Sequence, residues 1–132
     1  MTRKSSVLCF MVLLVSFIFV SGCLSLETAT GRNRAGLPLL NVGMSEEAVL
    51  KVMGTAKMNT DNGLVINNPY RVETKIVGDK TYKILMYVTD IKSDYRNITD
   101  DELTPLVFYE GKLIGWGWSF LNDRNVSEIR IR

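Results

Sequence analysis

The 132-residue chain predicts an α+β domain: a short N-terminal helical segment packed on a small antiparallel β-sheet of three to four strands. Three observations lead there. A serine, two glutamates and an apolar helical repeat run from Ser45 to a terminating Gly54. A strand of strict alternation, residues 71–76, meets the turn pair Gly78-Asp79. A second turn pair, Glu110-Gly111, lies between two further apolar runs.

The elements follow in order. Ser45 caps a helix by accepting a backbone N–H, worth about 1 kcal/mol, and Glu46 and Glu47 set negative charge against the positive end of its dipole. Val49, Val52 and Met53 recur at helical spacing, and Gly54 stands where a left-handed cap ends the helix. So short a helix needs a surface to pack on. Val72, Thr74 and Ile76 alternate with Arg71, Glu73 and Lys75, the pattern of a half-exposed strand. After Gly78-Asp79 the return strand, residues 81–89, is apolar on both parities and suits a more central place. A third strand covers 104–109, with Pro105 tolerable near its start or at an edge, and a last strand covers 112–120. The domain is expected over 41–122, preceded by a flexible polar tether over 23–40 and followed by a C-terminal tail over 123–132.

Upstream of the tether, Arg3 and Lys4 precede an apolar stretch over residues 7–20, and Val20-Ser21-Gly22-Cys23 closes it. This arrangement resembles the signal peptide of bacterial lipoproteins. The resemblance implies a signal peptide over 1–22, a signal peptidase box formed by Val20, Ser21 and Gly22, and lipid attachment, palmitate among the acyl groups, at Cys23. An uncleaved anchor is the alternative, although the run falls short of the roughly 20 apolar residues that span a bilayer. Two or more acyl chains give stable attachment where one gives only marginal binding.

Removing the signal takes away Arg3 and Lys4 and leaves 14 basic and 14 acidic side chains, so the formal +2 belongs to the export signal. A nucleic-acid partner is not expected of a neutral domain. Cys9 leaves with the signal and Cys23 is committed to lipid, which leaves no disulfide in the mature chain. The chain has no histidine, and the commonest triads, Cys-His pairs and metal sites go with it. We expect no enzyme, no cofactor and no metal. The acidic residues of 90–102 read as a solvated loop; calcium is the competing reading, without the ligand alternation and glycine of an EF-hand.

If Glu110-Gly111 is a two-residue turn, Tyr109 pairs with Lys112 and Phe108 with Leu113. Simple alternation then puts Trp116 and Trp118 together, opposite the face that receives the helix. Tyr109, Trp116 and Trp118 form the candidate partner surface. The competing reading buries both indoles beneath the tether, beneath residues 57–70, or through a bulge that reverses the register.

Val42-Gly43-Met44-Ser45, the short helix and Met53-Gly54-Thr55 resemble the opening of the BamE-like (SmpA/OmlA-like) domain, and Phe108-Tyr109-Glu110-Gly111-Lys112-Leu113 is similar to its final turn. The resemblance covers about residues 41–120 and implies a helical hairpin on a three-stranded antiparallel sheet in an envelope lipoprotein. Ala56 replaces the family's usual proline, and residues 57–68 carry no obvious second helix. The expected function is a non-enzymatic, membrane-anchored structural or interaction module at the periplasmic face of the outer membrane, with an envelope protein as partner. Leu24, where an aspartate would favour inner-membrane retention, points to the outer membrane in a Gram-negative host. The alternative is a tethered binding or inhibitor module for a soluble protein or small ligand.

Overall fold

The computed structural model describes residues 24–92 and 97–123. The expected lipidation box at Val20, Ser21, Gly22 and Cys23, and all of the C-terminal tail beyond Asp123, lie outside the described residues. The fold is α+β. In chain order it comprises β1 (Leu24–Ser25), α1 (Leu26–Gly36), a 3-10 turn (Leu37–Leu39), α2 (Glu46–Met53), β2 (Met58–Asn59), β3 (Val65–Ile66), β4 (Arg71–Val77) and β5 (Lys80–Val88). A second 3-10 turn (Asp100–Glu102), β6 (Leu103–Tyr109), β7 (Lys112–Trp116) and α3 (Trp118–Asn122) complete it.

The main sheet is antiparallel in the order β4-β5-β6-β7, and a smaller sheet joins β1, β2 and β3. Its hairpins form where glycine permits them. Gly78 (φ 62°) turns β4 into β5, and Glu110 (φ 49°) with Gly111 (φ 75°) turns β6 into β7, the pair of positive φ values that a type I′ turn requires. Pro105 sits in a central strand, yet it costs no ladder bond there. Its carbonyl accepts from Gly117 N, so its missing donor faces the side where β7 has already ended.

Each face of the sheet carries a core. On one, Tyr82, Ile84, Met86, Val88, Leu103 and Val107 pack with Leu26 and Ala29 of α1 and with Met58. On the other, Leu85, Tyr87, Leu106, Phe108 and Leu113 pack beneath Val49 and Met53 of α2, with Leu40 beside them. Ser45 Oγ accepts from Ala48 N as the cap of α2, and Gly54 follows at φ 83°. Its ψ of 161° makes the cap extended and not helical, but the positive φ still selects glycine. Lys83 Nζ meets Glu46 Oε1 at 2.6 Å, fixing the start of α2 over β5.

The tether expectation is corrected from Leu24 onward. Leu24 and Ser25 pair in parallel with Met58 and Asn59, and an 11-residue helix follows. Ser25 Oγ caps it by accepting from Thr28 N, with Glu27 in the first turn and Arg34 in the last. Its inward stripe is Leu26, Ala29, Thr30, Asn33 and Gly36, which has helical spacing but little apolar mass. The helix is held by close approach and by polar bonds. A Cβ on Gly36 would stand 2.9 Å from Met53 Sδ, so glycine is what lets α1 touch α2. Asn33, fully buried, donates from Nδ2 to Asn68 Oδ1 (3.1 Å) and Val88 O (2.8 Å) and accepts from Asn68 Nδ2 (3.1 Å).

Nearby, Tyr87 donates its hydroxyl to Gly54 O at 3.2 Å, and burial, aided by the charge of Glu46, pushes that phenol well above its usual pKa.

The last predicted strand is also corrected: β7 stops at Trp116, and residues 118–122 are helical. Gly117, at φ 90°, makes the break. Before it, Ile114 is an extra residue, because Phe108 pairs with Leu113 but Val107 pairs with Gly115. The bulge puts Gly115 under α3, where the Phe120 ring occupies the space of a side chain, 2.5 Å from an ideal Cβ.

Gly115→Ala should therefore expel Phe120 and cost about 1–3 kcal/mol. Gly31→Ala, at an exposed helical position where a Cβ meets nothing within 4 Å among the described residues, should gain up to about 1 kcal/mol. Urea denaturation of the two variants checks both signs.

Candidate functional site

The expected partner surface does not assemble. Because of the bulge, Trp116 pairs with Leu106 and packs against the α2-side core. Trp118 packs against the opposite core, and its indole N–H donates to the carbonyls of Leu103 (2.7 Å) and Asp100 (3.0 Å). Tyr109 lies on the Trp118 side, its ring centroid 5.3 Å from that of Tyr82, with Lys80 Nζ 5.9 Å from it. All three are partly buried. Tyr109 and Trp118 thus share one core and Trp116 belongs to the other, which corrects the shared-face expectation. The helix does cover Phe108 and Leu113, as that register requires.

The described acidic residues after β5 form an ordered structure around Glu102. This carboxylate is buried, accepting from Lys92 N (2.9 Å) through Oε1 and from Thr99 N (2.8 Å) and Thr99 Oγ1 (3.1 Å) through Oε2. It closes a capping box on the 3-10 turn, and Glu102 O accepts from Thr89 N (2.9 Å). Its neighbours are neutralised by cations: Asp101 meets Lys92 at 2.5 Å, Asp100 meets Arg71 at 2.9 Å and Asp90 meets Arg34 at 3.2 Å. The bond from Lys92, with that from Thr99, holds the Asp101 carboxyl below its usual pKa; the same contact raises Lys92. Among the described residues, no group of three His, Cys, Asp or Glu side chains is placed to hold a metal ion.

Where this loop leaves β5 it faces α1 across an open cleft of about 370 Å³, lined by Glu27, Thr30, Gly31, Arg34, Asp90 and Ile91. Arg34 Nε donates to Thr89 O at 2.9 Å, anchoring the cation at the rim. Thr30 is 3% exposed and its Oγ1 has no hydrogen-bond partner among the described residues. An unpaired buried hydroxyl costs roughly 1–3 kcal/mol. The lining mixes one cation with two carboxylates, which suits a polar group of mixed charge better than an apolar ligand.

Sequence reasoning missed Glu27, Thr30 and Arg34 because it assigned them to the tether. The signal available was the cap: Ser25 ahead of Leu26, with Glu27 in the first turn and Arg34 in the last.

Glu102→Ala should release the loop. It strands the amides of Lys92 and Thr99, and we expect a loss of about 2 kcal/mol with faster hydrogen exchange at those two amides while β6 stays protected.

A family model described as "Protein of unknown function (DUF3192)" matches residues 24–123. No curated protein and no solved structure matches the chain. The match spans well over half of the sequence and starts at the first residue of β1, so the chain belongs to the DUF3192 family.

Proposed function

We propose that this DUF3192 chain is a lipid-anchored, non-enzymatic interaction module, held through Cys23 at the periplasmic face of the outer membrane and working on a protein partner in the envelope. The observation that carries the reading is the junction between the lipoprotein-like box and the folded domain. Cys23 directly precedes β1, so a lipid on it would sit against the domain with no tether between them. The sheet containing β1 also carries Leu64 and Val65 at its β2–β3 turn and in β3, each 52% exposed. Two strand spacings, about 10 Å, separate β1 from β3. The register sets Val65 level with Asn59 and Ser25, so these exposed side chains lie at the end of the small sheet that continues into α1, while the proposed anchor precedes the other end.

The BamE-like resemblance gains support from the order of elements. Two helices, α1 and α2, precede the antiparallel strands of the main sheet, an order in keeping with the helical pair that resemblance implies. The alternative, a tethered binding module for a small ligand or soluble protein, is favoured by the cleft beside Thr30 and Arg34. Recovery of a partner only within detergent-solubilised membranes supports the first reading, and recovery from the soluble fraction supports the second.

Cys23→Ser tests the anchor. The parent chain should be isolated with membranes, shortened by 22 residues and carrying acyl groups by mass spectrometry; the variant should accumulate at full length without them. A shortened, membrane-bound form of the variant would overturn the proposal.

A further inference from the structure

The two edges of the main sheet are treated differently. Beside β7, the segment leading into α2 closes the edge: Gly43 N donates to Leu113 O (2.7 Å), Leu113 N to Met44 O (2.8 Å), and Ser45 bridges Lys112. At the opposite edge, β4 pairs only with β5 among the described residues. Its seven residues place Val72 (53% exposed) and Ile76 (72% exposed) on the α2 side of the sheet, beyond the area that α2 covers. An open strand edge bearing apolar side chains is a template for another strand.

The sequence of β4 names its own partner. Paired antiparallel with itself about Thr74, the strand sets Val72 against Ile76 of the other copy, Glu73 against Lys75, and Thr74 against Thr74. One face gains two apolar pairs and a threonine pair; the other gains two pairs of opposite charge. The backbone agrees. The two-residue turn at Gly78-Asp79 makes Val77 and Lys80 a hydrogen-bonded pair, so strand alternation turns the amides and carbonyls of Val72, Thr74 and Ile76 outward. These are the residues that face each other in the self-paired register, and they would form about six new hydrogen bonds between copies.

We infer that β4 joins a second copy of this chain across a two-fold axis at Thr74, making one eight-stranded sheet from two four-stranded ones. Lys75 and Glu73, which would oppose most incoming strands, select this one.

Single-cysteine substitutions in the full chain, solubilised in detergent and oxidised, read the register directly. Thr74→Cys should form a disulfide-linked dimer above the background of the parent chain, since Cα atoms facing each other in such a pair lie about 5.5 Å apart. Val72→Cys and Ile76→Cys should not cross-link alone, because each is four residues out of register with its own copy, but the two variants mixed should. By sedimentation the parent chain should be a dimer at micromolar concentration. Lys75→Glu should weaken it about tenfold, two attractive pairs having become repulsive, and the double exchange Glu73→Lys with Lys75→Glu should restore it. Circular dichroism of each variant confirms that the fold is kept. A monomeric parent chain, or Val72→Cys alone cross-linking as well as Thr74→Cys, would overturn the inference.

Discussion

The paired side chains of Asn33 and Asn68 are the contact on which the arrangement of this domain depends. Burying an amide is unfavourable unless its donors and acceptor are matched, and here the match is mutual. Each donates to the other at 3.1 Å, and Asn33 also holds Val88 O at the end of β5. Asn68 in turn reaches toward Gly54 O, the carbonyl that also receives the hydroxyl of Tyr87. One polar cluster thus ties α1, the entry to β4, the end of β5 and the end of α2. The two cores lie on opposite faces of the sheet and do not hold each other. Helix α1 links them, with Leu26 and Ala29 in one and Leu37, just beyond its end, against the other.

That link bears on how the domain would meet the anchor proposed at Cys23. An unstructured tether would let the domain swing away from a membrane that held Cys23, whereas a strand from Leu24 and a helix from Leu26 would fix its orientation to such an anchor. The open β4 edge gains meaning in the same frame. Attachment through the proposed lipid would confine copies to two dimensions and raise their effective concentration, so that a modest edge-to-edge contact would suffice for the pairing proposed above.

Much of this fold was legible in the sequence because its signals are local. Ser45 with Glu46, Glu47 and Gly54 defines α2 within ten residues, and the glycines at 78 and 111 set both hairpins and the Phe108–Leu113 register. What escaped depends on distant partners. Beyond Leu26, helix α1 buries alanine, threonine, asparagine and glycine, and the facing Met53, Asn68 and Val88 help make such a stripe favourable. Hydrophobic periodicity cannot register that. The bulge at Ile114 was equally hidden, since nothing local distinguishes it from a regular strand, yet it decides which face Trp116 joins. The cleft was lost with α1, because four of its six lining residues come from that helix.

Native-state hydrogen exchange on the full chain tests the central claim most directly. If Asn33 and Asn68 make α1 integral to the domain, the amides of residues 30–36 exchange with an opening free energy close to that of β5, and Asn33→Ala lowers the protection of α1 well below that of the sheet. Exchange of residues 30–36 at the rate of an unstructured chain, with β5 still protected in the parent protein, would contradict the account.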